Sequence, residues 1–148
     1  MTTGQPRHDE LSFRLQPTRI APSVARRWLA RWLDRVAWPP SGHDQVLLAV
    51  SEAVTNAVEH GHGVSAQGVS VEGQVLVQVR IVVGKEPDQR GLLVTVRDDG
   101  GWKQESDQPG RGLGLLLVRE LSDDLQVDGR EAGTTVTFSF HSLSSDRR

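Results

Sequence analysis

Apolar and polar positions alternate along "LSFRLQP", which puts Leu11, Phe13 and Leu15 on one face of a short strand. The period then changes. In "PSVARRWLARWLDRVAW", Val24, Trp28, Leu29, Trp32, Leu33 and Val36 fall at helical spacing, and Pro39–Pro40 ends the helix. Trp28 and Trp32 are assigned to its core side. A second helix is expected from about Ser41 to about His60, with Val46, Val50, Ala53, Val54 and Ala57 facing the core. Ser41 followed by Asp44 resembles a capping box, and Gly61 suits a C-terminal cap. "QVLVQVRIVV" and "LLVTVRD" are valine-rich and alternate in polarity, as strands do. The turn-rich "GKEPDQRG" between them predicts an antiparallel pair. After the polar "DGGWKQESDQPGRG", "LGLLLVRELSD" reads as a third helix. "LQVDG" and "TTVTFSF" read as two more strands.

The order β-α-α-β-β-α-β-β predicts an α/β two-layer sandwich. Helices should cover one face of a mixed, largely antiparallel sheet. A length of 148 residues suits one domain, placed at 11–141, with residues 1–10 and 142–148 as disordered ends. Composition narrows the function little. Net charge is −2, so a direct nucleic-acid partner is not expected. The absence of cysteine excludes disulfides, thiolate metal sites and cysteine nucleophiles. No apolar run approaches the roughly 20 residues of a membrane span, and "MTTGQPRHDE" has no signal core. These features lead to the expectation of a cytoplasmic protein without a membrane partner.

Candidate chemistry lies in three segments. Glu52 and Asn56 are four residues apart in "VSEAVTNAVEHGHG", so they share a helix face, and His60 continues the stripe. Taken alone, the pair also suits the wet face of an amphipathic helix. In "VRDDGG" a strand ends at Asp98 and glycines follow, which alone reads equally as a hairpin. In "GRGLGLLL", Gly110, Gly112 and Gly114 open a helix, and such a start brings backbone N–H groups close to phosphate. Neither a Walker loop nor the dinucleotide fingerprint fits. A metal reading of His60 and His62 lacks a third ligand at a telling spacing. Arg26, Arg27, Arg31 and Arg35 make the first helix basic, which suits a solvated face or an acidic partner surface.

Together with "GTT" at Gly133–Thr135, these segments resemble the N, G1 and G2 boxes of the GHKL (Bergerat-fold) ATPases, the superfamily of gyrase and the histidine kinases. "SEAVTNAVEHG" is most similar to the bacterial anti-sigma-factor serine/threonine kinases, and the resemblance covers roughly residues 11–140. It implies ATP and Mg²⁺ as cofactors. Asn56 would be the Mg²⁺ ligand, and Glu52 the general base or orienter for an attacking hydroxyl. The resemblance matches Asp98 to the acceptor for the adenine amino group, where guanine's carbonyl would be repelled, and Gly100 to a close backbone approach. Gly110, Gly112 and Gly114 fall to the phosphates, Thr134 to the adenine and His60 to the phosphate end. The implied partners are a sigma factor and a STAS-domain anti-sigma antagonist, with a homodimer as the family's usual state. In one respect the chain departs from the pattern: "DDGGW" places Trp102 where the G1 box has its last glycine. A regulatory module that holds ATP without phosphorylating therefore stays as an alternative. A histidine-kinase catalytic domain is a second, weakened by the short stretch from Asp98 to Gly112 and the lack of an upstream phosphoacceptor hairpin.

Overall fold

The computed structural model describes residues 9–61, 73–85, 89–99, 113–130 and 133–142. Its strands are β1 (Glu10–Leu15), β2 (Val75–Val83), β3 (Arg90–Asp98), β4 (Asp124–Arg130) and β5 (Gly133–Ser142). They form one sheet in the order β1-β2-β3-β5-β4, and every described pairing is antiparallel. The expected two-layer α/β sandwich is therefore present, with a sheet antiparallel throughout where a mixed one was expected. Alternation decides the faces. Val75, Val77 and Val79 of β2, Leu92, Val94 and Val96 of β3, and Val136, Phe138 and Phe140 of β5 are all buried on the side that carries the helices.

Helix α1 (Ala21–Arg35) begins with Pro22 in its first turn, where a missing N–H costs nothing. It buries Ala21, Ala25, Leu29, Trp32 and Leu33. Trp28 is not core: it is 40 % exposed and meets Phe13 of β1 edge-on, with ring centroids 4.9 Å apart. The reason is position, since α1 reaches the sheet at its β1 margin, where one side of the helix stays open.

The helix also stops before the two prolines. Trp38 N–H donates to the Leu33 carbonyl at 3.0 Å and Ala37 N–H to that of Asp34 at 3.2 Å, with Ala37 at φ 55°. This is a Schellman closure with alanine in the left-handed position that glycine usually takes. The Arg90 guanidinium, at the start of β3, completes the stop. Its Nη1 donates to the Val36 carbonyl at 2.9 Å and its Nη2 to that of Ala37 at 2.8 Å. A cation at a helix C-terminus also opposes the helix dipole favourably.

Helix α2 (His43–Asn56) follows a short 3₁₀ turn, Pro40–Gly42. The expected Ser41–Asp44 capping box does not form: the cap residue is Gly42, and no side-chain cap bond is made. His43 ties the corner instead, its Nε2 lying 2.7 Å from the Trp38 carbonyl oxygen. Val46, Val50, Ala53 and Val54 face inward as expected. Past Asn56 the helix widens into a π-turn, Ala57–Gly61, which packs on β3 and β5. Helix α3 (Leu113–Leu121) lies beside α2, and α2 lies beside α1. Among the described residues no helix is long and apolar enough to cross a membrane.

Candidate functional site

Buried polar groups are costly unless something pairs with them, so their position is informative. Among the described residues the buried polar side chains are Ser51, Asn56, Asp98 and Thr134. Three of these are residues that the sequence motifs single out. Asn56 is 8 % exposed, so the wet-face reading of its helix is wrong. Asp98 is 3 % exposed and is the last residue of β3, not a residue of a solvated hairpin.

Asp98 and Thr134 are direct cross-strand partners in the β3–β5 ladder. Both follow the buried alternation of their strands, one step beyond Val96 and Val136. They therefore extend the core face as a polar end, with a carboxylate beside a hydroxyl. Thr134 Oγ1 is buried with no hydrogen-bond partner among the described residues, a condition it shares with Trp32 Nε1 in the core. Gly133 makes this end possible. Its φ is +147°, and a Cβ there would overlap the Asp98 carbonyl oxygen. Only glycine lets β5 start this close to Asp98.

Glu52 and Asn56 share a face of α2 just before the π-turn. That turn packs on β3 and β5, the strands that end in Asp98 and begin with Thr134. The π-turn thus ties the Asn56 end of α2 to the two strands that carry Asp98 and Thr134. Glu52 is half-buried, and its carboxylate lies against the first turn of α3. A Cβ on Gly114 would stand 3.2 Å from Glu52 Oε2. His60 falls within the π-turn, off the regular α-helical stripe. Gly100, Trp102, Gly110 and Gly112 lie outside the described residues. Ser51 was not foreseen; next to Glu52 on the inward side, it accepts a bond from Thr55 Oγ1 through its carbonyl at 2.8 Å.

The set can hold a heterocycle with an amino group. Asp98 offers an acceptor and Thr134 a hydroxyl at a dry strand end, where a carboxylate would select a donor over a carbonyl. The Thr134 hydroxyl, without a hydrogen-bond partner among the described residues, fits a polar edge of a nucleotide base. Asn56 offers an uncharged oxygen, a hard ligand that suits Mg²⁺ beside phosphates. A separate cavity of about 370 Å³, lined by Trp38, Gln45, Glu120, Asp123, Phe140 and His141, lies at the opposite ends of α2, α3 and β5. It shares none of the residues Glu52, Asn56, Asp98 and Thr134. At its wall His141 Nδ1 and Asp123 Oδ2 are 2.6 Å apart.

Comparison with known proteins identifies the family and the fold. Residues 13–140 match the family described as "Histidine kinase-like ATPase domain". The chain is 31 % identical over 132 residues to the "Anti-sigma F factor" of Bacillus licheniformis, covering 80 % of this chain and 83 % of that one. It is 25 % identical over 142 residues to "Serine-protein kinase RsbW" of Staphylococcus aureus, covering 91 % and 88 %. Among solved structures, that of the RsbU and RsbW domains of Rv1364c from Mycobacterium tuberculosis superposes with a TM-score of 0.63 at 24 % identity. That match covers 90 % of this chain and about a third (33 %) of the other, and it supports the fold alone.

Proposed function

Because this chain belongs to the histidine kinase-like ATPase domain family, in its anti-sigma-factor kinase branch, we propose that it is an ATP-dependent protein serine/threonine kinase that switches partners. In this reading it phosphorylates a STAS-domain anti-sigma antagonist and sequesters a sigma factor. The observation that carries it is the burial of Asn56, Asp98 and Thr134, the polar side chains that the sequence motifs single out.

Each residue then has a task. Asp98 accepts from the adenine amino group, and Thr134 supplies the hydroxyl beside it. Gly100 leaves room for the base, and Gly110, Gly112 and Gly114 leave room for the phosphates. Asn56 would hold Mg²⁺, and His60 would stand at the phosphate end. Bound Mg·ATP supplies the γ-phosphoryl group and the metal charge that screens it. Glu52, one turn before Asn56, orients the incoming serine or threonine hydroxyl and receives its proton as the oxygen bonds to the γ-phosphorus, the bond to the β–γ bridging oxygen breaking so that ADP leaves. For that step the carboxylate must come within about 2.6–3.2 Å of the hydroxyl.

A second reading has one observation in its favour. Trp102 in "DDGGW" replaces a glycine of the nucleotide-lid motif, which suits a module that holds ATP and a sigma factor without transferring phosphate. The two readings separate in one reconstitution. A sigma factor held by the chain in the presence of Mg·ATP is challenged with an unphosphorylated STAS antagonist. The kinase reading requires release of the sigma factor followed by appearance of a phosphorylated serine or threonine on the antagonist. Release with no phosphorylation selects the binding module, and no capture of any sigma factor removes both.

A further inference from the structure

Glycine is among the poorest helix formers, so its place as the second residue of the nine-residue α3 needs a reason. The surroundings of Gly114 supply one. Among the described residues, the three atoms nearest to a Cβ built there all belong to Glu52: Oε2 at 3.2 Å, the carbonyl oxygen at 3.7 Å and Cβ at 4.0 Å. The last two distances are ordinary contact. The first is tighter than nearly all real Cβ contacts. A methyl group at position 114 would therefore leave the helices where they are and displace the carboxylate, the movable end of the Glu52 side chain.

The first turn of α3 also carries no acidic residue of its own. Its N-terminal end attracts a carboxylate, and the one that lies against it comes from α2. Attraction draws Glu52 toward α3, and the bare Cα of Gly114 sets where it stops.

We propose that Gly114 is a positioning residue for phosphoryl transfer, its missing side chain forming the seat that fixes the Glu52 carboxylate. This inference rests on the kinase reading and goes beyond the role of a glycine that merely clears space for phosphate. A base held to hydrogen-bonding distance of an incoming hydroxyl tolerates little displacement, and a shift near 1 Å can cost about a hundredfold in rate.

The test compares wild type, Gly114→Ala, Glu52→Gln and the double variant. Alanine favours the helix, so the single variant is expected to fold. Its kcat for transfer to an antagonist, measured at saturating ATP, should fall about ten- to a hundredfold, a loss separate from any weakening of ATP binding by a side chain at the phosphates. In the double variant the loss should equal that of Glu52→Gln alone, because the seat has nothing left to seat. An ATP affinity that falls while kcat holds, or losses that multiply in the double variant, would overturn the proposal. One readout needs no catalysis. With carboxyl-¹³C-labelled glutamate, the Glu52 resonance, identified by its disappearance in Glu52→Gln, should shift in Gly114→Ala. An unmoved resonance overturns the seat whether or not phosphate is transferred. A shifted one beside a wild type that transfers nothing leaves the seat standing and removes the kinase reading.

Discussion

Asp98→Asn exchanges one carboxylate oxygen for an amide nitrogen at almost constant volume. The residue is 3 % exposed, ends β3 and pairs across the ladder with Thr134. The close approach of Gly133 is to the main-chain oxygen of Asp98, so the substitution leaves it intact. What changes is the acceptor offered to a bound base. A hydrogen bond to a charged partner is worth about 1.5–3 kcal/mol, and an unmade one in a buried site costs a similar amount. At about 1.4 kcal/mol per tenfold, ATP affinity should fall roughly ten- to a hundredfold. The preference for ATP over GTP should fall with it, since the amide nitrogen can donate to the carbonyl that guanine offers. Titration calorimetry with ATP and with GTP in one buffer checks both consequences. Wild type should favour ATP, and the variant should lose most of that preference. A folded variant with wild-type ATP affinity would show that Asp98 does not touch the base.

The remaining expectations probe neighbouring parts. Asn56→Ala should abolish the gain in ATP affinity that Mg²⁺ provides, read as the difference between titrations with and without the metal; a retained gain would place the ion elsewhere. Gly133→Ala forces a side chain against Asp98 at φ +147° and should destabilise by more than about 1 kcal/mol in urea unfolding; an unchanged midpoint would contradict the tight β3–β5 corner. Ala37→Gly relieves a left-handed alanine, worth about 1–2 kcal/mol, against a backbone-entropy loss of about 0.4–1 kcal/mol. The thermal midpoint should therefore hold or rise, and a clear fall would argue against the Schellman closure.

Much of the fold was legible because alternation and helical spacing are strong signals over runs such as "QVLVQVRIVV" and "TTVTFSF". The faces of β2, β3, β5 and α2 follow directly from them. The corners were less legible. An alanine in a left-handed closure gives no glycine signal, so the sequence pattern carries α1 on to the prolines. A widening to a π-turn has no residue pattern of its own, so the spacing alone puts His60 on a regular stripe. The anchors His43 and Arg90 act across turns, and Arg90 reaches carbonyls more than fifty positions away in the chain. Trp28 misled because helical spacing identifies an apolar stripe without saying how far the sheet extends beneath it. At the candidate site, the order and spacing of the motifs single out Glu52, Asn56 and Asp98. The burial of Asn56 and Asp98 becomes visible only with the strands assembled. The contact between Glu52 and Gly114 joins separate elements, and no spacing in the chain could have shown it.

The central claim is that Glu52 serves phosphoryl transfer to a protein hydroxyl. Its most direct measurement is the rate at which label from γ-labelled ATP reaches a STAS-domain antagonist, for wild type beside Glu52→Gln, with ATP binding measured in both. Wild type should transfer label to a serine or threonine. The variant should bind ATP normally and transfer it about a hundred- to ten-thousandfold more slowly, the usual contribution of a general base. Transfer by Glu52→Gln at the wild-type rate would contradict the account.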